Sequence, residues 1–146
     1  MRIYVGSDHG GFLLKSEIIK KFRNKFELLD VGCYSAMNSY DYPDIAENLC
    51  REINNDKNSF GILICGTGIG MSIAANKIKN VRCALCNDLF SAEMAKKHNN
   101  ANVIALGARI IAHELAFLII EKFIKHDFEY RHQQRIYKLH QLEISD

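Results

Sequence analysis

A cysteine followed by a glycine-rich loop is the clearest chemical feature of this sequence. The segment Cys65–Ser72 stands between an apolar run and a segment of helical period. Backbone N–H groups of such a loop, aided by the helix dipole, can bind an anion. A helix N-terminus also favours the thiolate form of a nearby cysteine, and a thiolate is a competent base or nucleophile. The alternative interpretation is a buried cysteine beside a tight turn.

Three other phosphate-binding loops do not match this segment. A P-loop ends in Gly-Lys-Ser/Thr, whereas Gly70 is followed by Met71 and Ser72. A dinucleotide-binding loop has the spacing G-x-G-x-x-G after the first strand, but this loop has G-x-G-x-G after the third. A phosphatase loop would place an arginine at the position that Met71 occupies. The pattern therefore indicates a cysteine beside an anion-binding loop of another type.

Polar residues at two other points could act with this loop. Ser7–Gly11 follows the first predicted strand, and Asp8 could serve simply as a helix N-cap. Capping explains Asp8 but gives no reason for His9 beside it. His98–Asn102 ends a predicted helix, where these residues could bind the substrate or merely cap the terminus.

Basic residues near the C-terminus form a further candidate group. Arg131 and Arg135 are four residues apart, which places them on one face of a helix, and Arg109 precedes them. Such a pair is usually a solvated face. Beside an anion-binding loop it instead indicates a phosphate clamp, because guanidinium groups bind phosphate through two hydrogen bonds.

The elements that must position these residues are alternating short apolar runs and amphipathic segments. The predicted strands are Ile3–Val5, Glu27–Val31, Ile62–Cys65, Val81–Leu85 and Val103–Leu106. The predicted helices between them are Phe12–Arg23, Ile45–Ile53, Met71–Lys77 and Leu89–Lys97. This alternation predicts an α/β fold, a three-layer α/β/α sandwich with a Rossmann-like, doubly wound, five-stranded parallel sheet. Ligands bind beyond the carboxyl ends of strands in such sheets.

Two segments interrupt the alternation. Gly32–Pro43 is a long connection, and long loops in small domains usually serve function or an interface. A predicted helix at Ile110–Phe123 is followed by Tyr130–Asp146, which carries a narrow apolar stripe. The stripe consists of Ile136, Leu139 and Leu142. It predicts a C-terminal helix that packs on another subunit.

Length and composition restrict the class of protein. The chain has 146 residues, close to the ~150 of one domain, so we expect residues 1–146 to form a single domain. Its 48% hydrophobic content argues against disorder, and its net charge of +2 offers no surface for nucleic acid or acidic membranes. No apolar run approaches the ~20 residues of a membrane span, and the first residues lack the pattern of a signal peptide. We therefore expect a cytoplasmic protein.

The five cysteines are not expected to form disulfides, because their number is odd and no export signal is present. Cys83 and Cys86 match the C-x-x-C spacing, but no second pair stands at zinc-finger spacing. On a strand, residues three apart point to opposite faces. The sequence therefore favours a structural role for this pair over a redox or metal role.

Taken together and in order, several motifs resemble the type B ribose-5-phosphate isomerase family. They are Ser7–Gly11, Asp41–Pro43, Gly61–Lys77, His98–Asn99 and Arg131–Arg135, and the resemblance extends over essentially the whole chain. The most specific part is the run from Cys65 to Lys77. The resemblance implies interconversion of ribose 5-phosphate and ribulose 5-phosphate in the non-oxidative pentose phosphate pathway, without metal or organic cofactor.

The same resemblance implies a role for each candidate residue. Cys65 is the base that moves a proton between C2 and C1, Thr67 manages protons at the oxygens, and His98 opens the furanose ring. Backbone groups that would stabilise the enediolate are those of Gly66, Gly68, Ile69 and Gly70. Side chains that would bind the rest of the substrate are Asp8 at a ring or hydroxyl oxygen, His9, Arg109, Arg131 and Arg135 at the phosphate, and Tyr42 and Asn99 at the sugar.

Topology adds an expectation about subunits. Cys65 ends its strand, whereas His98 precedes the strand Val103–Leu106, so the two lie at opposite edges of the sheet. Strands of this length separate the edges by roughly 16 Å. If both residues act on one sugar, as the resemblance implies, His98 must reach the site of a neighbouring subunit. We therefore expect a homodimer, or a dimer of dimers, with shared active sites.

Two alternatives remain open from the sequence. Galactose-6-phosphate isomerase subunits share the fold but lack either this cysteine or this histidine, so the pentose substrate is favoured. A six-carbon substrate, allose or galactose phosphate, still remains possible because the sequence does not define the length of the pocket. A nucleotide-binding flavodoxin-like module would use the glycine loop but would have no use for Cys65 or His98.

Overall fold

Five apolar segments pair into one sheet in the computed structural model, which describes residues 1–144. The strands are β1 (Arg2–Ser7), β2 (Glu27–Asp30), β3 (Ser59–Cys65), β4 (Cys83–Leu85) and β5 (Val103–Gly107). They lie in the order β2-β1-β3-β5-β4, and every neighbouring pair is parallel. The predicted α/β fold with a five-stranded parallel sheet is confirmed.

Helices cover both faces of this sheet. They are α1 (Phe12–Phe22), α2 (Tyr42–Asn55), α3 (Ile69–Ala75), α4 (Leu89–Lys97), α5 (His113–Lys125) and α6 (Gln133–Leu142), with 3₁₀ turns at His9–Gly11 and Tyr130–His132. Apolar residues of α1, α4 and α5 pack on one face, and those of α2 and α3 pack on the other. Within residues 1–144, no helix has both the length and the apolar character that a bilayer crossing requires.

Three cysteines are buried parts of the core. Cys83 packs in the cluster on one face of the sheet and Cys86 in the cluster on the other. Burial raises the pKa of the Cys50 and Cys86 thiols to about 12 and also raises the pKa of Cys83. These thiols therefore stay protonated near neutral pH, which suits a structural role.

Two helices begin earlier than the apolar spacing predicted. Helix α2 begins at Tyr42 instead of Ile45, because Pro43 has a backbone geometry suited to the first helical turn. Helix α3 begins at Ile69 instead of Met71. The preceding Gly68 has a φ of 76°, which turns the chain from the loop directly into the helix. Both differences bring helix starts to the carboxyl edge of the sheet.

Strand β4 and helix α5 begin later than predicted. The amide of Arg82 donates to the side-chain Oδ1 of Asn102 at 2.8 Å, so β4 begins after it, at Cys83. The amides of Ile110 and Ile111 both donate to the Gly107 carbonyl, at 3.0 and 3.1 Å. This tight turn delays the start of α5 to His113.

The C-terminal stripe is only partly exposed. Ile136 is buried within its own chain, whereas the side chains of Leu139 and Leu142 are 43% and 72% exposed. The helix predicted within Tyr130–Asp146 is α6, and Ser145 and Asp146 lie outside the described residues. Packing of α6 on another subunit stays a prediction.

Candidate active site

The carboxyl ends of β1 and β3 bring two of the predicted clusters together. The amide of Asp8 donates to the carbonyl of Ile64 at 3.1 Å, which continues the pairing of the two strands. A Cβ added to Gly10 would lie 3.5 Å from the amide nitrogen of Gly66. Asp8 itself is buried, and its Oδ1 accepts the Gly11 amide at 3.1 Å.

Cys65 lies at the start of the glycine loop with an amide directed at its sulfur. The Gly68 N–H donates to Sγ at 3.2 Å, and the Cys65 side chain is 5% exposed. The Ile69 N–H donates to Thr67 Oγ1 at 3.2 Å, so the hydroxyl is held above the start of α3. Gly68 cannot be replaced without strain, because its φ is 76° and a Cβ there would lie 2.9 Å from the backbone carbonyl carbon of Leu106.

Arg109 places a positive charge over this loop. Its amide donates to the Gly66 carbonyl at 2.9 Å, and a Cβ on Gly66 would lie 3.3 Å from Nη1. Among the ion pairs formed by residues 1–144, none involves Arg109. Its guanidinium is therefore available to an anion at this edge.

The Gly32–Pro43 connection also reaches this edge. The Tyr40 N–H donates to His9 Nδ1 at 3.1 Å. The ring of Tyr42 lies against the start of α3, where a Cβ on Gly70 would come within 2.8 Å of Tyr42 Cζ. The structure thus gathers most of the predicted site residues at the carboxyl edge. They are Asp8, His9, Tyr42, Cys65, Gly66, Thr67, Gly68, Ile69, Gly70 and Arg109.

The remaining predicted residues lie at the other edge of the sheet. His98 ends α4, and the carbonyl of Asn102 accepts the Gly61 amide at the amino end of β3. The β3–β5 ladder runs from Gly61 to Cys65, a rise of ~13 Å. Asn99 lines a cavity of about 790 Å³ beside α6, to which Cys65 does not contribute. Within one chain, the residues at this edge cannot share a sugar with the thiol.

His98 lies in a basic cluster with His132, a residue that was assigned no role of its own from the sequence. The ring centroids of His98 and His132 are 4.4 Å apart, and Arg135 Nη1 lies 3.2 Å from His132 Nδ1. Burial, followed by the charges of Arg131, His98 and Arg135, lowers the pKa of His132. The one feature of the sequence that could have indicated a role for His132 is its position between Arg131 and Arg135. Its contact with His98 could not be predicted, because that contact depends on how the chain folds.

Two features of the basic cluster determine what it can bind. Arg131 Nη2 pairs with Glu129 Oε2 at 2.7 Å, so a phosphate would have to compete with this carboxylate. The ligand atoms of His98, Glu129 and His132 lie within 4.8 Å of one another, a spacing that could hold a metal ion. The two neighbouring arginine charges oppose a cation there and favour an anion.

A network of charges fixes the helix end that carries His98. Glu93 pairs with Lys122 at 2.9 Å and with Lys97 at 3.0 Å, and Lys97 also contacts Glu129 at 3.4 Å. These contacts join α4 to α5 and to the segment before Arg131. Hydrogen bonds from Lys122 and Lys97 lower the pKa of Glu93 to about 2.

This shift predicts how stability depends on pH. Because the pKa of Glu93 is lower in the folded state, its contribution is present above its ordinary value of 4.5 and is lost as the pH falls towards 2. Glu93→Gln should therefore lower Tm at pH 7, and the difference from the unmodified chain should shrink between pH 4.5 and 3. Thermal unfolding followed by circular dichroism measures this difference.

Glu47→Gln is the matched control, because Glu47 forms only an exposed pair with Arg51 on one helix. It should change Tm little at any pH. A Tm difference for Glu93→Gln that is equal at pH 7 and pH 3 would contradict the assigned role of the ionised carboxylate.

Comparison with known proteins agrees with this geometry. The family model for Ribose/Galactose Isomerase matches residues 3–139. The chain belongs to the ribose/galactose isomerase family. The predicted family and the predicted enzyme class, an isomerase, are confirmed.

Individual members of the ribose/galactose isomerase family match over nearly their full lengths. The chain is 42% identical to the putative sugar phosphate isomerase YwlF of Bacillus subtilis, over 98% of this chain and 97% of that protein. It is 39% identical to ribose-5-phosphate isomerase B of Escherichia coli, over 92% of this chain and 91% of that protein. A crystal structure of ribose-5-phosphate isomerase B from Mycoplasma genitalium with bound ribulose-5-phosphate superimposes with a TM-score of 0.94, at 37% identity and over 99% and 97% of the two chains.

Proposed function

We propose that this chain interconverts D-ribose 5-phosphate and D-ribulose 5-phosphate. The observation that carries the proposal is the placement of Cys65 beside a loop of amides under the unpaired guanidinium of Arg109. One family member named for this activity has been solved with ribulose-5-phosphate bound. The proposal includes a single isomerase domain over residues 1–146. It also places the enzyme in the cytoplasm, in the non-oxidative pentose phosphate pathway.

Proton transfer between the sugar carbons is assigned to Cys65. Its thiolate removes the proton from C2 of the open aldose, and the resulting thiol returns it to C1. The hydroxyl of Thr67 carries the matching proton between the two oxygens. Negative charge on the enediolate is stabilised by the loop amides from Gly66 to Gly70, and such a donor contributes ~3 kcal/mol to a transition state.

Ring opening is assigned to a second subunit. His98 lies too far from Cys65 within one chain, so the cluster of His98, Arg131 and Arg135 would come from the neighbouring molecule. Its arginines meet the phosphate together with His9 and Arg109, while Asp8, Tyr42 and Asn99 bind the sugar. The proposal therefore includes a homodimer, or a dimer of dimers, with each site built from two chains.

The substrate is tested by steady-state assays with ribose 5-phosphate, allose 6-phosphate and galactose 6-phosphate. We expect kcat/KM for ribose 5-phosphate to exceed that of either six-carbon sugar by at least 10-fold. A preference for a six-carbon sugar would overturn the pentose assignment. Isothermal titration with nucleotides tests the non-enzymatic alternative, because tight nucleotide binding without isomerisation would favour the flavodoxin-like module.

The phosphate clamp gives a separate prediction. Arg131→Ala or Arg135→Ala should each raise KM by ~10- to 100-fold with a smaller effect on kcat, because each removes charge-assisted hydrogen bonds of ~1.5–3 kcal/mol. Initial rates over a range of ribose 5-phosphate concentrations measure both constants. Arg51→Ala, at an exposed position on α2, is the control and should leave them unchanged. An unchanged KM in both variants would mean that Arg131 and Arg135 do not bind the phosphate and simply form a solvated helix face.

A further inference from the structure

A buried lysine that takes no part in the proposed chemistry is connected to the site through one loop. Lys15 lies on α1 with only 1% of its side chain exposed. Its ammonium donates to Asp30 Oδ1 at 2.6 Å and also to the carbonyl of Cys33. The rings of Phe12 and Tyr34 lie 5.5 and 5.3 Å from it. A buried charge is costly unless it is well paired, so this arrangement strongly constrains the groups that surround the ammonium.

The two acceptors of the ammonium, Asp30 and Cys33, belong to the end of β2 and to the chain that follows it. Asp30 Oδ1 also accepts the Gly32 amide at 2.9 Å. The Gly32 carbonyl accepts the Ser7 amide at 2.7 Å, and the Cys33 amide donates to the Ser7 carbonyl at 2.6 Å. Lys15 thereby holds the start of residues 32–41, here called the anchored loop, against the end of β1. Asp8 and His9 follow directly after that strand.

The far end of the anchored loop determines the tautomer of His9. The Tyr40 N–H donates to His9 Nδ1 at 3.1 Å. Because a nitrogen that accepts a hydrogen bond carries no proton, the ring proton lies on Nε2. His9 can then offer an N–H donor to an anion without rearranging. The tautomer therefore depends on where the loop places one backbone amide.

We propose that Lys15 is a positioning residue that anchors this loop and so keeps His9 in the Nε2–H form for binding the substrate phosphate. Its effect on binding rests on the proposed function, whereas its effect on the tautomer does not. If Lys15 served stability alone, its replacement would lower only the stability of the fold. If Lys15 is a positioning residue, its replacement changes the tautomer of His9 and raises KM while leaving kcat nearly unchanged.

The first test replaces Lys15 by methionine, which has similar length and no charge. Two-bond ¹H–¹⁵N correlation spectra of the imidazoles, recorded near pH 8 without substrate, report the tautomer, and His9→Gln assigns the His9 signals. We expect the Nε2–H form in the unmodified chain and a mixture of tautomers in Lys15→Met, with KM raised about 10-fold. Lys20→Met, at an exposed position on the same helix, should change neither. A folded Lys15→Met with unchanged tautomer and KM, or an unmodified chain with Nδ1–H, overturns the proposal.

The second test removes the donor itself and does not require Lys15→Met to fold. Tyr40→Pro eliminates the N–H that donates to His9, whereas Tyr40→Ala removes the ring and retains the N–H. We expect a mixture of tautomers in the proline variant alone. The same spectrum in both variants would overturn the role of the amide. If the tautomer shifts as expected but no sugar phosphate is isomerised, the positioning role stands and the proposed function fails.

Discussion

Replacement of Cys65 by alanine is expected to lower kcat by about 10³-fold or more, since a positioned base contributes up to ~10⁴-fold. Binding of ribose 5-phosphate should stay within a few-fold, because the groups that hold the phosphate lie elsewhere. Alanine removes the acceptor of the Gly68 N–H, but Arg109 is held by its own backbone hydrogen bond to Gly66 and therefore retains its place. Steady-state rates and isothermal titration of the variant measure the two effects separately.

Cys50→Ala is the matched control for this experiment. Cys50 is buried in the core, and burial raises the pKa of its thiol to about 12, so it neither titrates nor reacts near neutral pH. Its replacement should leave kcat unchanged. Iodoacetamide should inactivate the unmodified protein, and bound substrate should protect it. If Cys65→Ala retains more than a tenth of the activity, another residue is the base and Cys65 is structural.

Mixed subunits are expected to recover an activity that neither variant has alone. Homodimers of Cys65→Ala or of His98→Ala should each be nearly inactive, because every site lacks one of the two groups. In a heterodimer, one site combines the unmodified Cys65 of one chain with the unmodified His98 of the other. Random pairing makes half the dimers heterodimers with one complete site of two, which predicts about a quarter of the unmodified activity.

The control for mixing uses a chain that carries both replacements. Cys65→Ala combined with the double variant contains no unmodified Cys65, so the mixture should stay inactive. Native mass spectrometry shows whether subunits have exchanged. Exchange without recovered activity would refute the shared site. It would mean that His98 of one chain does not act with Cys65 of the other, although a rise of ~13 Å separates the two edges within one chain.

The sequence by itself determined the sheet and the residues at its carboxyl edge. Strands covered on both faces must be nearly continuously apolar, and helices on a sheet must be amphipathic, so both patterns are local. Helix α4 was predicted with the bounds Leu89–Lys97 that the structure shows. Because the strands are parallel, the residues that follow β1 and β3 had to meet at one edge. Asp8 and Cys65 were therefore predictable at the same edge of the sheet, whereas their adjacency depends on the order of the strands.

Tertiary structure alone decided which distant residues touch. The contact of His98 with His132 depends on how the turn before α6 packs against the end of α4, and no local pattern encodes that packing. The burial of Lys15 was equally hidden, because a lysine on an amphipathic helix is ordinarily exposed. Its partner Asp30 is brought to it by the position of β2 beside β1 in the sheet. Strand order, and with it every contact between these elements, is a property of the packed chain, since hydrophobic periodicity specifies which face is buried but not what covers it.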